Sequence, residues 1–469
     1  MQGVMVSVVI PAYNNAQFLG ETIQSVLDQT YPHFEVIVVN DASPDHTLDV
    51  VKQFDDPRVR YIVHEENRGL SAARNTGIRA ADGEVIALLD GDDLYHPEKL
   101  RMHVEFLEAH PDVGVTYNPR FDLNHSSKTI RELWRPPITV TLADLVLGFP
   151  FGPSDMVLRR DWAFRVNLFD EYHTYVGEDL DINCRLGLAG CKFASVDRAL
   201  NYRRYHSGRV IGNLRSYVED TIRPLNSTFA DPRCPKEVLA LRDKALANHY
   251  HLWSAIAFAQ SDTELGQEYC LAAVRHDPSL LDGKPCQLVK SFMSYGILDE
   301  SIDHDQLLRT MFDQLPPELA WLSEQVDWAV ARGYLVRGTR AVMWGRRQEG
   351  QTHMKHAAAQ SAQIDDEYSH YLIAQLLAYE TEFGREAAQD VLGNLFPYLR
   401  RIGSRSEVHW LRGYHSFSHA LQNYHAGEYA KVPKEVIRAF AYDPKYLSNR
   451  GALSILFHSL IAMRPRLDR

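Results

Sequence analysis

The chain is written in two patterns of apolar and polar positions. From Val6 to Leu89, short continuous apolar runs alternate with segments whose apolar residues recur at helical spacing. Val6 to Ile10 reads as a buried strand. Ala16 to Gln29 carries Phe18, Ile23, Val26 and Leu27 along one helical face, and Val36 to Val39 is a second strand. A helix over Thr47 to Phe54, a strand over Val59 to Val63, a helix over Ser71 to Ala81 and a strand over Val85 to Leu89 continue the alternation. This order predicts an α/β fold with a mostly parallel sheet covered by helices, in which ligands bind beyond the carboxyl ends of the strands. Candidate chemistry therefore belongs after Ile10, after Asn40 and after Leu89.

Beyond about Asn226 the strand pattern gives way to long helical ones: Val238 to Ala259, Leu265 to His276, Tyr334 to Trp344, His353 to Gln363, Tyr368 to Tyr379 and Val408 to Tyr424. An α/β domain over 1–226 and an all-α domain over 227–469 are expected. Within the helical part, Tyr269 to Pro278 echoes Val436 to Pro444, each a helical run closed by Asp-Pro. Such pairs resemble tetratricopeptide-type repeats, with irregular spacing; an irregular helical bundle is an equal alternative.

Composition narrows the classes. With 469 residues, 45% hydrophobic and 24% charged, the chain reads as a globular protein of two or three domains. No apolar stretch is long enough to span a bilayer and the N-terminus enters a strand-like run at once, so the cytoplasm is the expected location, with peripheral attachment at the inner face of the membrane left open. The five cysteines form no Cys-x-x-Cys pair, which suggests reduced thiols. A net charge of −11 argues against a nucleic-acid partner. Among the 21 histidines, His249 and His251 point to different helical faces. His415 and His419 share a face but have no evident carboxylate or cysteine partner nearby in sequence, and read as structural.

After the first strand, Pro11-Ala12-Tyr13-Asn14-Asn15 reads as a loop without glycine. Dinucleotide-binding and P-loop turns need glycines for close backbone approach to phosphate, so both classes are excluded. The second strand ends at Asn40-Asp41-Ala42-Ser43. Asp41 either shapes that turn or accepts the imide N–H of a uracil or thymine ring, a donor that cytosine lacks. Val85 to Leu89 runs directly into Asp90-Gly91-Asp92-Asp93. Carboxylates crowded at a strand end repel unless they share a cation, and hard oxygen ligands suit Mg²⁺ or Mn²⁺; a solvated turn is the plain alternative.

Four segments occur in a telling order: Ser7 to Asn14, Val38 to Ser43, Asn67 to Gly77, and Leu89 to Asp93. Over roughly the first hundred residues their order and spacing resemble those of glycosyltransferase family 2. The resemblance implies a GT-A fold, a nucleotide-diphosphate sugar donor, Mn²⁺ or Mg²⁺, and inversion at the anomeric carbon. It implies that Pro11, Ala12, Tyr13, Asn14 and Asp41 cradle the base and that Arg74 reaches the base or diphosphate. In the acidic motif it implies that Asp90 binds the ribose beside Gly91, that Asp92 binds the metal, and that Asp93 is a further ligand. Glu178-Asp179 resembles the family's Glu-Asp motif at a helix start, which makes Asp179 the general base and Glu178 the residue that orients base or acceptor. Acids in a first helical turn also favourably oppose the macrodipole, which is the alternative. Tyr202 to His206 resembles the family's Tyr-x-x-x-His stretch, with His206 a metal ligand and Arg203, Arg204 and Arg209 near phosphate.

The expected function is inverting transfer of one sugar at a time, with a UDP-sugar favoured, to a hydroxyl of a glycan, lipid-linked or protein acceptor in surface polysaccharide or glycan biosynthesis. Trp134, Phe149, Phe151 and Trp162 are stacking platforms for that acceptor or else core residues. The alternative is an assembly protein whose helical half docks partners and whose nucleotide-sugar domain is non-catalytic. The C-terminal helices leave a homodimer or a peripheral membrane assembly open.

Overall fold

The computed structural model describes residues 3–124, 129–172, 176–205, 214–403 and 405–462. The chain divides into two compact units, 1–329 and 330–469. In the first, strands β1 (Val6–Ala12), β2 (Phe34–Asn40), β3 (Val59–Val63), β4 (Val85–Leu88), β5 (Leu94–Tyr95) and β6 (Val115–Tyr117) are followed by β7 (Arg120–Asn124), β8 (Thr129–Trp134), β9 (Thr139–Val140), β10 (Val157–Arg159), β11 (Phe193–Ser195) and β12 (Asn201–Tyr205). Eight of them form a sheet in the order β3-β2-β1-β4-β10-β6-β11-β9. The β3-β2-β1-β4 half is parallel; β10 runs antiparallel to both β4 and β6. A smaller sheet, β5-β12-β7-β8, stands beside the acidic motif through β5. The expected α/β class with a mostly parallel sheet is what these residues build.

β1, β2 and β4 are mainly apolar because both faces of the sheet are covered; buried Ser7 and Glu35, bonded to each other at 2.6 Å, interrupt the run. Val9, Ile37, Val39, Ile86 and Leu88 pack on one face, and Val8, Ile10, Val36, Val38 and Ala87 on the other, the period-two alternation of a strand. One expected element differs. β1 does not stop at Ile10 but continues through Pro11 and Ala12, paired with Val39 and Asn40, so the first two residues of the expected loop are strand. Pro11 is tolerated there for a geometric reason. The Val9 carbonyl accepts Leu89 N–H on the β4 side, and Pro11, two residues on, faces that same side beyond the end of β4, where no N–H is needed.

The first sheet face is closed by helices that include Leu70–Ala80, Leu142–Leu147, Glu178–Leu188, Leu214–Ala230 and Arg242–Ala259. Leu225, Phe229, Val238, Ala245 and Leu246 share one hydrophobic cluster with Val9 and Ile86. The boundary expected near 226 therefore falls inside the helix Leu214–Ala230, and the helices after it belong to the first unit.

The second unit contains most of the helix Val326–Met343, then Arg347–Ala359, Asp366–Phe383, Arg385–Ile402, Arg405–His425, Val432–Tyr442 and Arg450–Ala462. Leu335, Leu372, Leu395 and Leu411 lie in one of its cores and Val432, Val436 and Ala439 in another. The Asp-Pro echo is real local structure. The helices Thr263–His276 and Val432–Tyr442 both end in an Asp whose side chain accepts the N–H two residues on and starts a 3-10 turn at the following proline. No helix among the described residues is long and apolar enough to cross a membrane.

Candidate active site

The loops after β1 and β2 are stitched to each other. Ser43 Oγ donates to the Ala12 carbonyl at 3.2 Å and accepts from Asn14 N at 3.3 Å, while Asp45 accepts from Ala16 N at 3.0 Å. Asn14 and Ala42 hold positive φ values of 55° and 54°, a cost that this stitching sustains beside the strand ends. Tyr13, 46% exposed, is the open side chain of this edge, whereas Pro11 and Ala12 are buried in β1.

Asp41 is buried and already holds a loop. Its Oδ1 lies 2.6 Å from His64 Nδ1 and accepts Arg68 N–H at 2.9 Å, and its Oδ2 accepts Gly69 N–H at 2.8 Å. A carboxylate offers about four acceptor positions, so one remains for a base N–H.

The acidic motif separates into distinct roles. Asp90 is 30% exposed; its N–H donates to Ser154 Oγ at 3.1 Å and its Oδ1 accepts from Arg74 at 2.7 Å. Gly91 leaves room for the loop after β1: a β-carbon there would stand 2.2 Å from Asn15 Nδ2 and 3.0 Å from the Pro11 carbonyl, so the Asn15 side chain would have to shift. Asp92 is half-buried, and its carbonyl accepts from Arg204 at 2.9 Å. Asp93 is 1% exposed and its Oδ1 accepts Arg204 N–H at 3.0 Å, so its carboxylate ties β12 to the motif. That placement departs from the expected role as an outward metal ligand.

Arg74 also differs from expectation. Instead of reaching into the crevice it is 1% exposed, with Nη2 on Asp90 Oδ1 at 2.7 Å and Nη1 on Glu178 Oε1 at 2.6 Å, its guanidinium 5.3 Å from the Phe169 ring centroid. It bridges the end of β4 to the start of the helix Glu178–Leu188. The next residue, Asn75, completes the clamp: its amide donates to the Phe169 carbonyl and accepts Phe169 N–H, both at 2.9 Å. Sequence reasoning assigned Asn75 no role. The signal was there in a buried asparagine within a helix, a residue that favours caps and turns unless its amide is used.

Asp179 lies in the first turn of that helix, its Oδ1 accepting Leu180 N–H at 2.7 Å. Burial, then the Glu178 carboxylate, push its carboxyl well above the usual carboxylate range; Arg74 lowers it and Asp90 raises it further. Arg74, bonded to both Asp90 and Glu178, brings the acidic motif and the Glu-Asp motif together. Glycine at 177 allows the entry to this helix: its φ is +82°, and a β-carbon would meet the Asp220 carbonyl at 2.8 Å.

Carboxylates at Asp90, Asp92, Asp93, Glu178 and Asp179 outnumber the guanidinium groups of Arg74 and Arg204 around them. Asp90, Asp92 and Asp179 are the half-buried members of this set, and hard oxygen donors of this kind suit a divalent cation. The expected phosphate contacts are placed otherwise: Arg203 is bidentate to Asp122 at 3.0 Å, and Arg204 bonds Glu21 and the Asp92 carbonyl. His206 and Arg209 lie outside the described residues. Of the aromatic candidates, Trp134 and Phe149 are exposed, Trp162 is partly buried and Phe151 is core, stacked on Tyr117 with ring centroids 4.4 Å apart.

A crevice at the carboxyl ends of parallel strands is where open α/β sheets bind their ligands. Residues 7–165 match the family model described as glycosyl transferase family 2. The chain is 37% identical over 160 residues to the UDP-Glc:alpha-D-GlcNAc-diphosphoundecaprenol beta-1,3-glucosyltransferase WfgD of Escherichia coli, a match covering 34% of this chain and 62% of that one. It is 36% identical over 210 residues to an uncharacterized glycosyltransferase, alr2836, of Nostoc sp., covering 43% and 65%. The chain thus spans less than two thirds of the length of these relatives. Among solved structures it is similar to S. aureus TarS 1-349 in complex with UDP-GlcNAc, with 19% identity, 77% and 95% coverage, and a TM-score of 0.44.

Proposed function

We propose that the chain is an inverting glycosyltransferase that moves a single sugar from a nucleotide diphosphate to an acceptor hydroxyl. The observation that carries this reading is the Arg74 bridge, which ties Asp90 to Glu178 and so sets the acidic strand end against the helix that bears Asp179. In this reading Asp179 takes the acceptor proton as the hydroxyl attacks the anomeric carbon from the face opposite the leaving diphosphate. Its raised proton affinity makes it a stronger base than an ordinary carboxylate. Glu178, fixed by Arg74, orients the acceptor or the base. Asp92, with Asp90, would hold Mn²⁺ or Mg²⁺, which when bound supplies charge neutralisation to the leaving diphosphate.

A uridine donor is favoured because the remaining acceptor position of Asp41 suits an imide N–H, and because WfgD, by its name, uses UDP-Glc. Surface glycan biosynthesis is the proposed setting, since that relative's acceptor is a diphosphoundecaprenol-linked sugar. The test is incubation of the protein with Mn²⁺ and a panel of nucleotide sugars, measuring released nucleotide. UDP release that disappears with EDTA and in Asp92→Ala is the expected result. Release of no nucleotide, with or without candidate acceptors, would remove the proposal.

A further inference from the structure

A second cluster of ligand-type side chains lies in the helical unit. Glu380, on the helix Asp366–Phe383, faces His415 and His419 of the helix Arg405–His425. The two histidines are one turn apart and share a helical face. His419 Nε2 is 2.8 Å and His415 Nε2 3.9 Å from Glu380 Oε2, and the three donor atoms all lie within 4.8 Å of one another. The imidazoles are 5% and 6% exposed. None of the three donor atoms has a hydrogen bond of acceptable geometry, so three buried polar atoms converge on one point without satisfying each other. Sequence reading set these histidines aside for want of a partner; folding supplies it from another helix.

We propose that Glu380, His415 and His419 form a Zn²⁺ site that clips these two helices together. Tetrahedral zinc with bonds of about 2.0–2.1 Å separates its ligand atoms by about 3.3 Å, between the 2.8 Å and 3.9 Å found here. Two imidazoles and one carboxylate with water in the fourth position are a zinc donor set, whereas Mg²⁺ and Ca²⁺ prefer oxygen alone. The other charged groups nearby are already matched: Arg385 donates to Glu435 Oε2 at 2.7 Å and Arg438 to Glu435 Oε1 at 3.1 Å. All three ligands lie within the unit 330–469.

The test uses the full chain, stripped with EDTA, dialysed, and equilibrated with Zn²⁺ in excess Mg²⁺ so that the crevice carboxylates are occupied. Elemental analysis should find one Zn²⁺ per chain, Co²⁺ should give the intense visible bands of a tetrahedral site, and Zn²⁺ should raise the Tm. His415→Ala/His419→Ala should lose all three signals. Glu380→Gln, which keeps the side chain's shape, should weaken Zn²⁺ binding at least about tenfold with an unchanged metal-free Tm. Absence of retained Zn²⁺ in the parent chain overturns the proposal, as does Zn²⁺ binding by Glu380→Gln equal to that of the parent.

Discussion

Asp179 is where burial and charge act most strongly on the proposed reaction. Asp179→Asn should lower kcat by about 10²–10⁴-fold, with donor affinity by calorimetry unchanged, because the amide keeps the volume but takes no proton. A base held above the usual carboxylate range also predicts a pH profile whose acid limb lies well above that of a solvent-exposed carboxylate. The stability consequence has the opposite sign. The folded chain keeps the Asp179 proton to higher pH than the unfolded chain does, so this group's contribution declines as pH rises from the ordinary carboxylate range through the raised value. Asn cannot ionise; the variant should therefore have a higher Tm than the parent above that window and an equal one below it, read from melts across pH. Arg74→Met should instead cost on the order of 3 kcal/mol in urea unfolding, because Asp90 and Glu178 are left facing one another without their cation. At this scale the acidic motif, Arg74 and Glu178-Asp179 were legible as candidates. That Arg74 bridges two motifs was not, because its partners lie on different elements and hydrogen bonding, unlike motif spacing, leaves no local pattern.

Elements were legible where the apolar period was clean. β3 spans Val59–Val63 as its alternation predicts, and the helix Ala16–Leu27 starts at the expected residue. What the pattern missed is set by contacts. β1 outruns its apolar run because its last residues face past the end of β4, and the entry to the helix Glu178–Leu188 needs a positive φ and a space beside the Asp220 carbonyl that Gly177 leaves open. Gly177→Ala must accommodate both a left-handed φ and a β-carbon 2.8 Å from the Asp220 carbonyl. It should destabilise the first unit by about 1–3 kcal/mol in denaturant titration. Because Gly177 caps the helix whose first turn carries Asp179, kcat should fall while donor affinity, set by the β1, β2 and β4 ends, stays near that of the parent.

For the whole molecule, the change from strand to helix pattern near 226 and the division of the structure at 329 are different events. Pattern records the secondary structure of each segment; a domain is defined by which apolar faces close on one another. Leu225 and Phe229 lie on one continuous helix, and with Val238 and Leu246 they cover the same hydrophobic cluster as the sheet residues Val9 and Ile86. A chain ending at 226 would break that helix and expose this face, whereas one ending at 329 keeps every residue of the cluster. Residues 1–226 expressed alone should therefore aggregate or behave as a molten globule, with bound dye and no cooperative melt. Residues 1–329 should melt cooperatively and bind UDP with an affinity within about threefold of the full chain, a difference of roughly 0.6 kcal/mol. A cooperative, nucleotide-binding 1–226 fragment would mean that the helices after 226 only decorate the glycosyltransferase domain, and the unit would have to be redrawn at the end of the sheet.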